Sequence, residues 1–299
     1  MEGKRARGST LARIRWAAAW LLILATLVND VPRLGSADTT KKSSELLAQF
    51  EDQIAIAALS LGCAALVVLL FVRRRADGGS HLEPPVRTDS IYLEAFALYR
   101  FQATFGGQVL LTLLPSAGLF LHELVLDSAP LTALAWLHLR GASVVTIRRD
   151  SGLIWRRGSL RECGAGLLCF ALLAPLTLTL LQDAQPDTSL GAQILLGGMA
   201  LTAAKAVLYA PLIEEFFFRG LLHRHLRTRH GFVFTASATT LVFVTMHTQH
   251  DVGGLALVAC MGFLMSVLRE WRSSLVAAIT MHATVNGVPI LILLALFFL

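Results

Sequence analysis

Residues 54–75 read IAIAALSLGCAALVVLLFVRRR, an apolar run of spanning length that stops at the triplet Arg73-Arg74-Arg75. An uninterrupted apolar run of this length is typical of a helix that crosses a lipid bilayer. Three consecutive arginines at its end are typical of a span that stops on the cytoplasmic side. The stretch therefore predicts a membrane-spanning helix.

The composition of the whole chain supports the same class of protein. Of its 299 residues, 55% are hydrophobic and 15% are charged, and the mean hydropathy is +0.63. Soluble domains carry about 25% charged residues. The net charge is +6, but the basic residues lie in short clusters between apolar runs, which favours orientation in a membrane over nucleic-acid binding. The cysteines show no CxxC spacing, so we expect no disulfide framework.

Further apolar runs predict an all-α, polytopic bundle of about eight or nine spans. In the C-terminal half the spans are expected near 163–182, 190–222, 232–250, 252–268 and 274–298. The basic segments His223–His230 and Arg269–Arg272 are expected to face the cytoplasm, and the turn at 182–189 the opposite side. His223, His225 and His230 are accordingly expected on the cytoplasmic surface.

The N-terminal third is interpreted as an appendage followed by the start of the core. Residues 1–90 are assigned two spans and a linker, and residues 91–299 form the membrane-embedded core, beginning with a helical hairpin over 91–139. The first apolar run, Trp16–Val28, is either an uncleaved span or a signal peptide, because Gly35-Ser36-Ala37 resembles a cleavage site. We favour the uncleaved span.

Six polar or ionisable residues lie inside the predicted C-terminal spans, where such residues are costly and are candidates for a functional site. They are Glu214, Glu215, Arg219, His247, His282 and Asn286. Counted along helices from the cytoplasmic side, Glu214 and His282 lie about 15 Å deep and His247 about 24 Å deep. Three different spans are therefore expected to place polar groups near the middle of the bilayer.

The spacing of these residues predicts their chemistry. Glu215 and Arg219 are four residues apart and can pair, which leaves Glu214, rotated by about 100°, to face a cavity. Phe243 and His247 are also four residues apart, so the Phe243 ring can pack against the His247 imidazole. A carboxylate and an imidazole can deprotonate water, and two fixed donors, His282 and Asn286, can hold the oxygen of a tetrahedral intermediate. The set favours amide hydrolysis by water.

Three motifs occur in order: EExxxR from Glu214 to Arg219, FxxxH from Phe243 to His247, and HxxxN from His282 to Asn286. Over roughly residues 160–299 this pattern resembles the CPBP family, which holds type II CAAX prenyl endopeptidases together with bacteriocin-processing and abortive-infection-like proteins. The resemblance implies a helical membrane fold and a metal-independent glutamic endopeptidase. It also implies that Glu214 and His247 activate the water, that His282 and Asn286 hold the oxyanion, and that Glu215 and Arg219 support the site.

Other interpretations of the same residues stay open. Glu214, His247 and His282 are a possible set of zinc ligands, although the sequence has no HExxH motif and we expect no cofactor. A non-catalytic membrane partner, such as a bacteriocin immunity or scaffold protein, is the alternative function. The expected substrate is a membrane-associated protein or peptide carrying a prenylated CAAX end, a leader or a C-terminal sorting tail. The expected location is the inner membrane of a bacterium.

Overall fold

A computed structural model describes residues 2–30, 90–114, 118–180, 198, 200–248, 250 and 252–298 of the chain. All regular structure in these ranges is helical, so the predicted all-α class is confirmed for them. The chain divides into two compact units, Met1–Ser143 and Val144–Leu299. The predicted span at 54–72 and the linker that precedes residue 90 lie outside the described residues, and both stay predictions.

The first unit is built on the packing of its N-terminal helix. Its described helices are α1 (Glu2–Asp30), α2 (Ile91–Leu113), α3 (Leu119–Asp127) and α4 (Ala129–Leu139). Helix α1 packs along α2 through small and aliphatic side chains such as Ala19, Leu22 and Ile23, which are fully buried. In the region predicted as a helical hairpin, the long helix α2 packs against two shorter helices, α3 and α4. Pro130 stands in the first turn of α4, where its missing N–H costs nothing.

The second unit contains all three sequence motifs. Its described helices are α5 (Val144–Ser151), α6 (Ser159–Leu180), α7 (Ala210–Glu215), α8 (His223–Arg227), α9 (Phe232–Val244), α10 (Val252–Arg272) and α11 (Val276–Phe298), with two π-helical segments, π1 (Lys205–Tyr209) and π2 (Phe216–Leu222). The segments π1, α7, π2 and α8 follow one another without a break, so residues 200–227 form one continuous helix. Helix α11 packs on α6 and α10, and α9 packs on α10.

Helix α9 is shorter than the span predicted at 232–250. It ends at Val244, and side chains beyond that residue satisfy carbonyls of its last turn. Thr245 Oγ1 donates to the Val242 carbonyl at 2.8 Å, and His247 Nδ1 donates to the Phe243 carbonyl at 2.9 Å. His247 therefore lies in the turn after the helix, and the depth counted for it along a continuous helix is wrong.

Two of the three histidines expected on the cytoplasmic surface are buried. His223 and His225 are buried in α8, whereas His230 is exposed as predicted. The ring of His223 lies 6.5 Å from the ring of Phe232, because α8 packs against the start of α9. The correction follows from this tertiary contact, which the charge pattern of the segment does not show.

Several described helices suit a membrane. The segments Leu11–Asp30 and Gly254–Arg272 are long and apolar enough to cross one, and Phe232–Val244 and Val276–Leu291 are apolar but shorter. The predicted total of eight or nine spans is not confirmed over the described residues. Large apolar side chains point outward from the second unit, among them Leu172, Val233 and Leu241 at 70%, 68% and 67% exposure. A surface of this kind suits lipid better than water.

Candidate active site

A proline, Pro211, lies next to a π-helical distortion in the continuous helix that carries Glu214 and Glu215. At the end of π1 the N–H of Ala210 donates to the Lys205 carbonyl, five residues back instead of four. The next residue, Pro211, has no N–H to donate. The carbonyl of Ala206 is therefore left without its helical partner in this register.

Asn286 supplies the missing donor from another helix. Its Nδ2 donates to the Ala206 carbonyl at 2.9 Å, which ties α11 to π1 close to the glutamates. π-helical turns inside α-helices are frequently found at functional sites. Pro211, three residues before Glu214, is the one signal in the sequence for this arrangement, and the sequence prediction did not use it.

Glu215 is the buried centre of the site. Its Oε1 accepts a hydrogen bond from Arg219 Nη1 at 2.9 Å and another from His282 Nδ1 at 3.0 Å. The predicted pairing of Glu215 with Arg219 is thus present in the structure. His282 belongs to α11 and lies 67 residues after Glu215 in the sequence. The carboxylate therefore links α7 to α11.

Arg219 is fully buried and held on three sides. Besides its bond to Glu215, its Nη2 donates to the Gly262 carbonyl at 2.9 Å, and its Cζ lies 4.4 Å from the centre of the Phe243 ring. This position over an aromatic face adds a cation–π attraction. A Cβ on Gly262 would lie 3.1 Å from Arg219 Nη2, so glycine leaves room for the guanidinium. The sequence prediction did not include Gly262.

The ring of Phe243 links the histidines to the arginine. Its centre lies 4.5 Å from the imidazole of His247 and 5.9 Å from that of His282. Phe218 packs edge-on against it at 5.1 Å. The predicted contact of Phe243 with His247 is present, and the same ring also shapes the environment of His282 and Arg219.

Unlike Glu215, Glu214 has only a more distant charged partner, the imidazole of His282. The Glu214 side chain is 20% exposed, and its Oε2 lies 3.8 Å from His282 Nε2, which is too long for a hydrogen bond. That oxygen is buried and has no hydrogen-bond partner among the described residues. A carboxylate oxygen in this condition is a strong acceptor for any donor that enters the site.

His247 and His282 differ in which ring nitrogens have hydrogen-bond partners. The Nδ1–H of His247 is used by the Phe243 carbonyl, so in the neutral ring Nε2 carries the lone pair and is a base. Both nitrogens of His282 face carboxylates, Nδ1 towards Glu215 and Nε2 towards Glu214. Asn286, by contrast, directs Nδ2 to a backbone carbonyl.

The structure therefore gathers Glu214, Glu215, Arg219 and His282 into one cluster, and Phe243 connects this cluster to His247. Asn286 lies on the same helix as His282, one turn further on, and meets π1. Over the described ranges, His, Cys, Asp and Glu side chains form no group of three or more arranged to hold a metal ion.

The comparison with known families agrees with the motifs. A family model described as type II CAAX prenyl endopeptidase Rce1-like matches residues 195–288, a segment that contains the EExxxR, FxxxH and HxxxN motifs. No curated protein and no solved structure matches the chain. That family is one of membrane-embedded proteases, so the match supports a membrane location and peptidase chemistry for this chain. The match over residues 195–288 supports the resemblance to the CPBP family that the three motifs indicate.

Proposed function

We propose that this protein is an intramembrane endopeptidase that hydrolyses a peptide bond of a membrane-associated protein or peptide with a water molecule activated by Glu214 and His247. The observation that carries the proposal is the contrast between two adjacent carboxylates. Glu215 is tied to Arg219 and His282, whereas Glu214 Oε2 is buried beside His282 and accepts no hydrogen bond from the described residues. One carboxylate thus supports the site and the other is available for chemistry.

In the proposed reaction Glu214 takes a proton from water while the oxygen attacks the carbonyl carbon of the substrate. His247 accepts a second hydrogen bond from the water through Nε2, whose lone pair is directed by the bond from Nδ1 to the Phe243 carbonyl. The C–N bond then breaks, and the proton held by Glu214 passes to the leaving amine. The products are a carboxylic acid and an amine, so one water molecule is consumed per bond.

His282 and Asn286 hold the negative oxygen of the tetrahedral intermediate. Since Nδ1 of His282 already donates to Glu215, the ring donates from Nε2 as well in its doubly protonated form. Asn286 has a second N–H beyond the one used by Ala206. A donor of this kind contributes about 3–4 kcal/mol to the transition state in known cases.

The substrate class remains one of three: a prenylated CAAX end, a leader peptide or a C-terminal sorting tail. The family match supports the first of these. The apolar composition and the arginine-rich, alanine-rich sequence support an inner bacterial membrane as the location. The proposed reaction uses no metal, and adding a strong chelator is expected to leave the cleavage rate unchanged.

Replacing Glu214 with glutamine tests the mechanism. The amide keeps the shape of the side chain but cannot take the proton, so we expect cleavage to fall by at least about a hundredfold. Mass spectrometry identifies the new termini of membrane proteins in cells that express either the wild type or Glu214→Gln. A second assay measures the cleavage of a farnesylated CAAX peptide by each purified protein in vesicles.

The matched control is Glu123→Gln, which removes a half-buried carboxylate in the first unit, outside the three motifs. It is expected to cleave like the wild type. Normal cleavage by a folded, membrane-inserted Glu214→Gln variant would overturn the proposed role of this carboxylate.

A further inference from the structure

A polar pocket of about 290 Å³ lies at the end of the continuous helix 200–227, and none of its lining residues belongs to the three motifs. It is lined by His223, Arg224, Arg227, Thr228, Arg269, Glu270 and Ser273. These residues belong to α8, to the end of α10 and to the turn that follows each of them. The two basic segments that the sequence predicts on the cytoplasmic side thus meet in one place, where Arg227 pairs with Glu270 at 2.8 Å.

The charges of the pocket do not balance. Its lining carries three arginines and one glutamate. Arg227 is paired with that glutamate, and Arg224 is paired with the nearby Asp150 at 3.0 Å. The third arginine, Arg269, has no carboxylate partner in the part of the chain that the structure describes. One positive charge therefore remains in excess.

Arg269 is also poorly hydrated, since it is only 8% exposed. Its Nε donates to the Arg219 carbonyl at 3.2 Å, and its Nη2 donates to the Asp150 carbonyl at 3.4 Å. Carbonyl oxygens orient a guanidinium but do not neutralise it. A buried charge without an opposite charge is expensive, so the position of Arg269 favours a bound anion.

A second side chain in the pocket has a buried polar atom without a hydrogen-bond partner among the described residues. His223 is 3% exposed, and its Nε2 is buried with no hydrogen-bond partner among the described residues. Burial, reinforced by the nearby Arg269, lowers the pKa of His223 to about 4. The ring is therefore neutral at ordinary pH and offers one N–H to an acceptor without adding to the positive charge.

We propose that this pocket binds a phosphate group, and that the phosphate is carried by the headgroup of an acidic phospholipid. Arginine forks match phosphate oxygens in geometry and charge. Basic pockets between helices at the cytoplasmic side of a membrane bind such headgroups in other proteins. A lipid is favoured over a soluble ion because the pocket lies where α10, a helix of spanning length, ends.

Lipid retention by the full-length protein tests this inference independently of proteolysis. Purified protein in detergent is titrated with phosphatidylglycerol or with phosphatidylcholine, and bound lipid is counted by native mass spectrometry. We expect tighter retention of phosphatidylglycerol, and about fivefold weaker retention in Arg269→Gln or in the more exposed Arg227→Gln. The control Arg161→Gln changes an exposed arginine of α6 outside the pocket and is expected to bind as the wild type does.

A variant that removes a negative charge, instead of a positive one, distinguishes an effect on lipid binding from damage to the fold. Glu270→Gln removes the one negative charge of the lining and is expected to tighten phosphatidylglycerol binding by about fivefold. Equal retention in wild type, Arg269→Gln, Arg227→Gln and Glu270→Gln would overturn the proposal, as would an equal loss in Arg161→Gln. Displacement of the lipid by low millimolar sodium phosphate would show a site for the free ion and overturn the assignment to a lipid.

Discussion

Arg219 is the residue on which the arrangement of the site depends most directly. Two nitrogens of its planar fork serve different acceptors, Glu215 Oε1 and the Gly262 carbonyl, and its flat face lies against Phe243. A lysine ammonium keeps the charge but cannot make both bonds and the stacked contact at once. The buried Glu215 would then be held less firmly, and His282 with it.

The substitution Arg219→Lys is therefore expected to be damaging despite its conserved charge. We expect a loss of at least one charged hydrogen bond, about 1.5–3 kcal/mol of unfolding free energy, and at least tenfold slower cleavage. Denaturation in detergent measures the first effect, and the farnesylated peptide assay measures the second. Arg161→Lys, on the exposed face of α6, is the control and should match the wild type in both. Wild-type cleavage by Arg219→Lys would show that simultaneous bonding to Glu215 and to the Gly262 carbonyl is not required.

At the scale of elements, the site depends on how closely α6 and α11 approach. A Cβ built on Gly166 of α6 would lie 2.5 Å from the Ala277 carbonyl oxygen and 3.0 Å from the Met281 backbone nitrogen. Both atoms belong to the backbone of α11, which cannot move aside locally. Small residues allow membrane helices to pack this closely. The next residue after Met281 is His282, so the contact sets the position of the His282 imidazole in the candidate site.

Gly166→Ala is expected to push the two helices apart. Overpacking of this kind costs about 1–3 kcal/mol, and the displacement of His282 should slow cleavage as well. The matched control is Gly164→Ala on the same helix, where a Cβ meets nothing within 4 Å. Thermal unfolding in detergent and the cleavage assay distinguish the two variants. Equal stability of Gly166→Ala and Gly164→Ala would contradict the proposed close packing.

In the continuous helix 200–227, side-chain directions cannot be counted reliably from an ideal α-helix. Its two π segments rotate the residues beyond them relative to an ideal α-helix, so side-chain directions counted at 3.6 residues per turn drift. The pairing of Glu215 with Arg219 survives because it spans a single turn. The bond from Asn286 to the Ala206 carbonyl was not predictable in this way, since its partner becomes available only through π1 and Pro211.

At the scale of the whole molecule, α1 is a structural part of the first unit. Asp30 at its end pairs with the buried Arg100 of α2, and Arg15 lies 3.5 Å from the fully buried Glu94. Removing α1 as a signal peptide would take away the carboxylate that pairs with Arg100 and one of the cations beside Glu94. Breaking buried ion pairs in this way is strongly destabilising.

We therefore expect the mature protein to retain α1. Mass spectrometry of the membrane-purified protein should recover peptides of α1 joined to the residues that follow it. A mass that corresponds to cleavage near the Gly35-Ser36-Ala37 motif, which lies outside the described residues, would contradict this. Fusion of an N-terminal epitope tag provides a second test, because the tag should remain with the membrane-bound protein.

By itself, the sequence predicted the helical class that the described residues confirm, and it singled out the polar residues of the candidate site. Apolar runs and the spacing of EExxxR, FxxxH and HxxxN are local properties, and the pairing of Glu215 with Arg219 follows from a single helical turn. Only the tertiary structure decided that His282 bridges both glutamates, that Gly262 receives Arg219, and that His247 lies beyond the end of α9. These contacts join helices far apart in the chain, and their geometry depends on packing distances that no pattern along one helix contains.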